Sequence, residues 1–288
     1  MREGIIVKGI GGVYEVETQE GRLQCTLRGR LRLEVERVLV GDRVEVSLSG
    51  GSTGVVERIL PRRSELVRPP VANIDQVLVV FAVQKPLPNL VLLDRILVQA
   101  ELMDLACVVV FNKADLDPAR AEELRSLYAA IPYRTIVTST RTSQGLEDLR
   151  EAIQGKISVL AGPSGVGKSS LLNALNPQLQ LEIGEVSAKV QRGRHTTRRV
   201  ELLAFDQGYV ADTPGFSQLH LEAGQEQQER LQLAFPEFDR YRGACRFRSC
   251  LHRSEPGCAV LEAVEAGEIA PSRHGHYLLF LEEVTPRY

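Results

Sequence analysis

The sequence predicts a multidomain protein: an N-terminal β-barrel, a central parallel α/β domain and a C-terminal helical metal-binding domain, divided at residues 1–66, 67–221 and 222–288. Three observations carry this prediction. Five or so short apolar segments separated by turn signals fill the first sixty-odd residues. From Asp75 onward, buried apolar runs alternate with stretches of helical spacing. Beyond Pro214, three cysteines and one histidine crowd into fourteen residues between helical stretches.

The short segments of the first domain are 5–7, 13–16, 23–27, 43–48 and 54–59, punctuated by Gly11-Gly12, Glu20-Gly21, Gly41-Asp42 and residues 49–52. Strands this short and numerous close into a small barrel, with the OB-fold the leading candidate. Arg62-Arg63 through Pro70 reads as a linker, because proline stiffens a junction and ends a preceding strand. Residues 76–83 then form an apolar run suited to a buried parallel strand, followed by helical spacing over 89–102. Strands at 107–111, 135–138 and 156–161 alternate with helices at 118–130 and 145–153, and a further helix opens over 170–175. Two more strands, 199–205 and 208–211, meet at the turn 206–208. Alternation of this kind makes a parallel sheet with ligands at the carboxyl ends of its strands. Helices at 225–234, 260–266 and 274–284 complete the chain.

Composition sets outer limits. The 288 residues exceed one ordinary domain, and 43% hydrophobic content can build sizeable cores. Lys plus Arg total 35 against 37 Asp plus Glu, a net charge of −2, which excludes a uniformly basic coat for gripping nucleic acid. Local basic patches remain open. The longest apolar runs, 77–83 and 105–111, reach seven residues, far short of a membrane span. The opening MREGIIVKGIGG lacks the apolar core of a signal peptide, so a cytoplasmic protein is expected. Five cysteines in a reducing compartment argue against a disulfide framework.

The chemistry begins with Gly162-Pro163-Ser164-Gly165-Val166-Gly167-Lys168-Ser169, which fits G-x-x-x-x-G-K-[ST], with Ser170 next. It follows a predicted strand and opens a predicted helix. The glycines let backbone N–H groups converge on phosphate oxygens, and the helix N-terminus adds partial positive charge. Lys168 reaches toward the β- and γ-phosphates, and the Ser169 hydroxyl is placed to ligate Mg²⁺. The base is chosen by Asn112-Lys113-Ala114-Asp115 at the end of the strand 107–111. A carboxylate at Asp115 accepts from guanine N1–H and its exocyclic amine, whereas adenine leaves it unpaired. The Lys113 stem can cover the base, and Asn112 can tie the base loop to the phosphate loop. Thr138-Ser139-Thr140, at the end of the strand 135–138, is a candidate backbone contact to guanine O6, with Ser139 at its centre. Asp212-Thr213-Pro214-Gly215 supplies a carboxylate for Mg²⁺ and, at Gly215, an N–H for the γ-phosphate. Thr196 or Thr197, in Gly193-Arg194-His195-Thr196-Thr197-Arg198, can close over the metal. In Ras-like GTPases the phosphate loop comes first and N-K-x-D late. The reverse order here requires circular permutation of the same sheet.

Cys245-x4-Cys250-x-His252-x5-Cys258 is a complete Cys₃His set for tetrahedral zinc with no open position, hence structural; the competing reading is a cluster of free buried cysteines. Cys25 and Cys107 lie in strand runs and read as core. Three stretches without acids suit RNA: 22–32 with Arg28, Arg30 and Arg32, 189–199 with Arg192 and Arg194, and 242–248 with Arg246, Arg248 and Phe247 available to stack.

In the order N-K-A-D, G-P-S-G-V-G-K-S-S, G-R-H-T-T, D-T-P-G and C-x4-C-x-H-x5-C, the chain resembles the ribosome small-subunit-dependent GTPase A family: circularly permuted bacterial GTPases with an OB-fold and a zinc domain. The likeness covers nearly the whole chain, including Arg28-Gly29, Val40-Gly41-Asp42 and Pro61-Arg62-Arg63-Ser64. It implies GTP hydrolysis stimulated by the 30S subunit and a role in late 30S maturation; Mg²⁺ with the nucleotide, contact with 16S rRNA and a monomeric state are expected alongside. It also implies zinc at Cys245, Cys250, His252 and Cys258, guanine contacts at Asn112, Lys113 and Asp115, and a phosphate loop at 162–170. Arg198 and residues 216–221 depart from the family's usual switch sequences. Ras-type enzymes orient the attacking water with a glutamine where this chain has Phe216. The expected catalytic set is therefore Lys168, Thr197 and His195, the last brought to the γ-phosphate by the ribosome. The alternative is a nucleotide-gated RNA-binding module with little hydrolysis of its own; a P-loop ATPase or kinase is disfavoured by Asp115.

Overall fold

The structure is a computed structural model, and it describes residues 1–35, 37–67, 70–181, 200–205, 208–211 and 224–285. The barrel consists of β1 (Arg2–Ile10), β2 (Val13–Thr18), β3 (Gly21–Leu27), β4 (Arg43–Gly50) and β5 (Thr53–Ile59), closed in the order β1-β2-β3-β5-β4. A short helix, α1 (Leu31–Glu34), follows β3. Gly11 and Gly12 both take positive φ, 58° and 85°, as a two-residue turn matching strand twist requires. Alternation along the strands sends Ile6, Val16, Leu23, Cys25, Val44, Val46 and Val56 into one core.

The expected linker is instead a packed collar. β6 (Glu65–Val67) and β7 (Pro70–Ala72) pair antiparallel, Leu66 opposite Val71, with both side chains buried. Val71 also bridges to Val40 beside the barrel. Arg62 forks onto the fully buried Asp42 carboxylate at 2.7 and 2.9 Å, and Asn73 Nδ2 donates to Gly41 O at 2.9 Å. Gly41 has φ 92°, and a Cβ there would lie 2.1 Å from Ala72 O. Buried ionic and backbone partners override the local stiffness that proline signalled.

The α/β part follows in chain order: β8 (Gln76–Ala82), α2 (Leu90–Glu101), β9 (Ala106–Asn112), α3 (Pro118–Ala129), β10 (Arg134–Val137), α4 (Leu146–Ile153), β11 (Ile157–Ala161), α5 (Lys168–Leu175), β12 (Leu202–Phe205) and β13 (Gly208–Ala211). Each realises a strand or helix read from the sequence. Asn89 caps α2 by accepting from Leu92 N, and Asp117 caps α3 by accepting from Arg120 N, with Pro118 in the first turn. Last come α6 (Gln225–Leu233), α7 (Ala259–Glu265) and α8 (Pro271–Val284).

The chain divides into two compact units. One comprises residues 1–76, 147–160 and 168–216, with the barrel and the strand order β11-β13-β12. There β11 and β13 are parallel, and β12 runs antiparallel to β13. The other comprises residues 77–146, 161–167 and 217–288, with the order β10-β9-β8 and the C-terminal helices. Residues of β8 are buried on both faces, which explains its unbroken apolar run.

In this second unit the C-terminal helices pack on α2. Phe235, Phe238, Tyr277, Phe280 and Leu281 share a core with Val98 of α2. Beside it lies a buried ionic cluster. Arg273, 1% exposed, pairs with Asp94 at 2.7 Å and with Glu237 at 2.7 Å, and stacks over the Phe235 ring at 4.6 Å. Tyr128 OH donates to Asp94 at 2.8 Å, and His276 Nδ1 meets its other oxygen at 2.5 Å. Burial alone would push the Arg273 guanidinium down; Asp94 and Glu237 more than offset this and hold it above its ordinary value. α8 begins three residues before the expected start at 274 because Pro271 occupies its first turn.

Candidate nucleotide site and metal centre

β9 ends at Asn112, and the chain turns at once: Lys113 takes φ 61°. Asn112 is buried, and its Nδ2 donates to Val166 O at 2.9 Å, so the base loop and the phosphate loop are tied together. Lys113 Nζ donates to Gly165 O at 2.6 Å and to Lys85 O. This stretches the lysine stem between the two loops, and partial burial lowers its pKa. Ala114 N donates to Thr138 O at 3.1 Å, and Thr138 Oγ1 donates to Asn112 Oδ1 at 3.2 Å. Ser139 Oγ donates to Asp115 Oδ1 at 2.6 Å. The Ser139 hydroxyl thus orients the carboxylate that the sequence marks for guanine, a contact the motif did not signal. The loop holding it turns at Ser143 and Gly145, and a Cβ on Gly145 would lie 2.0 Å from Val137 O.

The phosphate loop leaves β11 as a cradle that side chains would fill. Gly162, Gly165 and Gly167 have φ 138°, 79° and 97°. A Cβ on Gly162 would lie 2.1 Å from Val80 O, and one on Gly167 2.4 Å from Asn112 Nδ2. Val166 is buried, whereas Ser164 and Gly165 are exposed at the loop tip. Lys168, the buried Ser169 and Ser170 form the first turn of α5. Glycine at these positions leaves backbone where side chains would stand, as a loop around phosphate oxygens requires. Sequence reasoning missed Lys85 and the hydroxyls of Thr138 and Ser139, two residues it offered only for a backbone contact. Only the last two had a nearby signal, the polar run after β10. Arg192, Arg194, His195, Thr197, Asp212 and Gly215 lie outside the described residues.

Cys245, Cys250, His252 and Cys258 converge, their ligand atoms all within 4.8 Å of one another. His252 Nδ1 lies 3.6 Å from Cys245 Sγ and 3.3 Å from Cys258 Sγ, and the two sulfurs are 4.0 Å apart. Bonds of about 2.3 Å to a tetrahedral metal put sulfurs about 3.8 Å apart, so the set can hold a metal ion. Burial pushes the Cys250 thiol up to about 12 and raises Cys258, while it lowers His252. A neutral imidazole suits ligation; buried thiolates need a cation beside them. The knuckle is built for this. Glu255 accepts from Leu251 N, Arg253 N and Ser254 N at 2.8, 2.8 and 3.1 Å, and Tyr277 OH donates to Leu251 O at 2.7 Å.

The arginines divide. Arg22 is engaged by Glu17 at 2.9 Å and Glu15 at 3.5 Å, and Arg28 by Glu57, so part of the first basic stretch is neutralised across the barrel strands. Arg30 and Arg32 lie in the exposed segment around α1. Arg246, Phe247 and Arg248 are exposed in succession, with Phe247 at 43% and the Arg246 guanidinium 5.5 Å from its ring.

Family models match in two places: "RsgA N-terminal domain" over residues 3–56 and "RsgA GTPase" over residues 59–222. A protein of Moorella thermoacetica named small ribosomal subunit biogenesis GTPase RsgA is 52% identical over 99% of this chain and 98% of its own length. One of the same name from Geobacillus thermodenitrificans is 47% identical over the full length of both. The crystal structure of YjeQ from Thermotoga maritima superposes with TM-score 0.84 at 41% identity, covering 100% of this chain and 99% of that one. YloQ, described as a circularly permuted GTPase, superposes with TM-score 0.82 at 37% identity, covering 100% of this chain and 97% of that one. With both halves of the motif set on one scaffold, this chain belongs to the RsgA GTPase family.

Proposed function

We propose that this protein hydrolyses GTP on the small ribosomal subunit and acts there as a late maturation factor. The observation that carries the reading is the tie of base loop to phosphate loop, Asn112 to Val166 and Lys113 to Gly165. It sets the guanine carboxylate at a fixed distance from the phosphate cradle. Asp115, oriented by Ser139, accepts from the guanine edge, and the Lys113 stem covers the base, with Ala114 in the same turn. Backbone amides of residues 162–170 hold the phosphates, and Lys168 neutralises charge on the β- and γ-phosphates. Mg²⁺, when bound, supplies the remaining charge neutralisation, and Ser169 with Asp212 would hold it. Gly215 senses the γ-phosphate, and Thr197 would close over the metal.

Phe216 offers no hydrogen bond to an attacking water, so the free protein turns over slowly until the ribosome brings His195 to the γ-phosphate. The four-residue centre holds one structural zinc. Arg28, Arg30, Arg32, Arg192, Arg194, Arg246 and Arg248 meet 16S rRNA, the exposed Phe247 stacking among them. The three domains are 1–66, 67–221 and 222–288, in a cytoplasmic monomer. Among the described residues no helix is long and apolar enough to cross a membrane.

Phosphate release from GTP, measured with and without 30S subunits, tests the reading: slow release alone and strong stimulation by subunits are expected, and no release in either condition overturns it. In the same assay equal stimulation of wild type and His195→Ala removes His195 from the mechanism. Co-sedimentation with 30S should be tighter with a non-hydrolysable GTP analogue than with GDP.

A further inference from the structure

The barrel is joined to the strand that leaves the switch stretch. β1 carries a bulge: Ile6 pairs with Val16 and Lys8 with Glu15, leaving Val7 as the extra residue. Bulges re-aim a strand. Immediately past this one, Lys8 forms an antiparallel bridge with Glu201, and its ammonium lies 3.1 Å from both carboxylate oxygens. Glu201 stands two residues beyond Arg199, the end of the stretch carrying His195 and Thr197. β1 and β12 are in direct contact.

The charges around the bridge extend the junction. The hydrogen bond to Glu17 holds the Arg22 guanidinium above its ordinary value against partial burial, with Glu15 and Glu201 adding to it. Burial raises the Tyr209 hydroxyl on β13, and Glu17 and Arg22 act on it too. The direct tie is the Lys8–Glu201 pair, and the charges of Glu17 and Arg22 are felt at Tyr209.

We infer that Lys8 is a positioning residue: through Glu201 it ties the barrel to the strand descending from the switch stretch, so that nucleotide state reaches the barrel. The inference rests on the proposed ribosome-stimulated reaction, and its test includes a readout independent of the ribosome. Full-length wild type, Lys8→Glu, Glu201→Lys, the double charge swap and the milder Lys8→Gln are compared. Nucleotide affinity and hydrolysis without subunits should stay within about twofold of wild type, since the pair is partly exposed and belongs to none of the nucleotide motifs. Hydrogen exchange at residues 7–9 and 200–204 is then measured with GDP and with a non-hydrolysable GTP analogue, no ribosome present. Wild type should change at both segments. The single variants should keep the change at 200–204 and lose it at 7–9, and the swap should restore it. Stimulation by 30S should fall about fivefold in the single charge reversals, the scale of a partly exposed ion pair turned repulsive, and recover in the swap. Glu201→Lys should be the more damaging, because it also repels Arg22. Nucleotide-independent exchange at 7–9 in wild type, retained change in the single variants, or a swap that restores nothing overturns the inference. A wild type that 30S does not stimulate overturns the proposed function instead, and exchange still decides the coupling.

Discussion

Arg273→Met removes the only guanidinium in the cluster on α2 and leaves its carboxylates in place. Asp94 is fully buried and Glu237 nearly so, and Arg273 contacts both at 2.7 Å. Tyr128 and His276 still face Asp94, so the damage centres on Glu237, which loses the hydrogen bonds it accepts from Nε and Nη2 of Arg273. Breaking one side of a buried ion pair costs about 3–5 kcal/mol, because the remaining charge stays desolvated. At about 2–4 °C per kcal/mol for a body of this size, the melting temperature should fall by roughly 6–20 °C. Methionine approximates the length of the lost stem, so little of this comes from a cavity. Far-ultraviolet circular dichroism on thermal ramps serves as the assay, since the chain has no tryptophan to report by fluorescence. Replacing the set together, Arg273→Met with Asp94→Leu and Glu237→Leu, should cost less than Arg273→Met alone. A single variant melting within about 2 °C of wild type would refute the view that this cluster is a desolvated, mutually dependent unit.

Other outcomes follow from the two sites. Asp115→Ala should abolish the preference for GTP over ATP, a loss of about 10²-fold or more, read by nucleotide competition. Gly167→Ala should eliminate nucleotide binding in titrations with a fluorescent GDP, since its Cβ would lie 2.4 Å from Asn112 Nδ2 at φ 97°. Zinc added to chelator-treated protein should release protons, because burial holds the Cys250 thiol up at about 12 and also raises Cys258. These folded-state pKa values are raised, so the thiols stay protonated near neutrality and zinc affinity should weaken as pH falls; calorimetry in buffers of differing ionisation enthalpy checks both. Zinc removal should also loosen residues 245–258, seen as faster proteolysis, with the core of Phe235, Phe238 and Tyr277 exposed in consequence.

Elements whose cause is local were legible in the sequence. Gly11-Gly12 forces the first hairpin, Asn89 and Asp117 cap their helices, and the unbroken run in β8 reflects burial on both faces. The phosphate and base loops were legible because glycine and a short polar motif carry their geometry in one stretch. Features made by distant partners were not. Arg62 looked like linker charge until Asp42 was found beneath it. Arg22 looked like an RNA contact, but Glu15 and Glu17 sit on the paired strand. Ser139 was assigned by its backbone, whereas its hydroxyl is used, since nothing local reveals that Asp115 turns toward it. Arg273 and Asp94 gave no signal at all, being separated by most of the chain.

That separation has a consequence during synthesis. Asp94 and His276, hydrogen-bonded in the finished molecule, are 182 residues apart. A nascent chain emerges N-terminus first, and domains usually close as they appear. Here α2 presents a carboxylate destined for a dry interior while both of its partners on α8, Arg273 and His276, are still unmade. The surface of α2 stays hydrated and unsealed until α8 has been made, so this half of the protein closes only after its own first helix has waited through the synthesis of nearly everything between them.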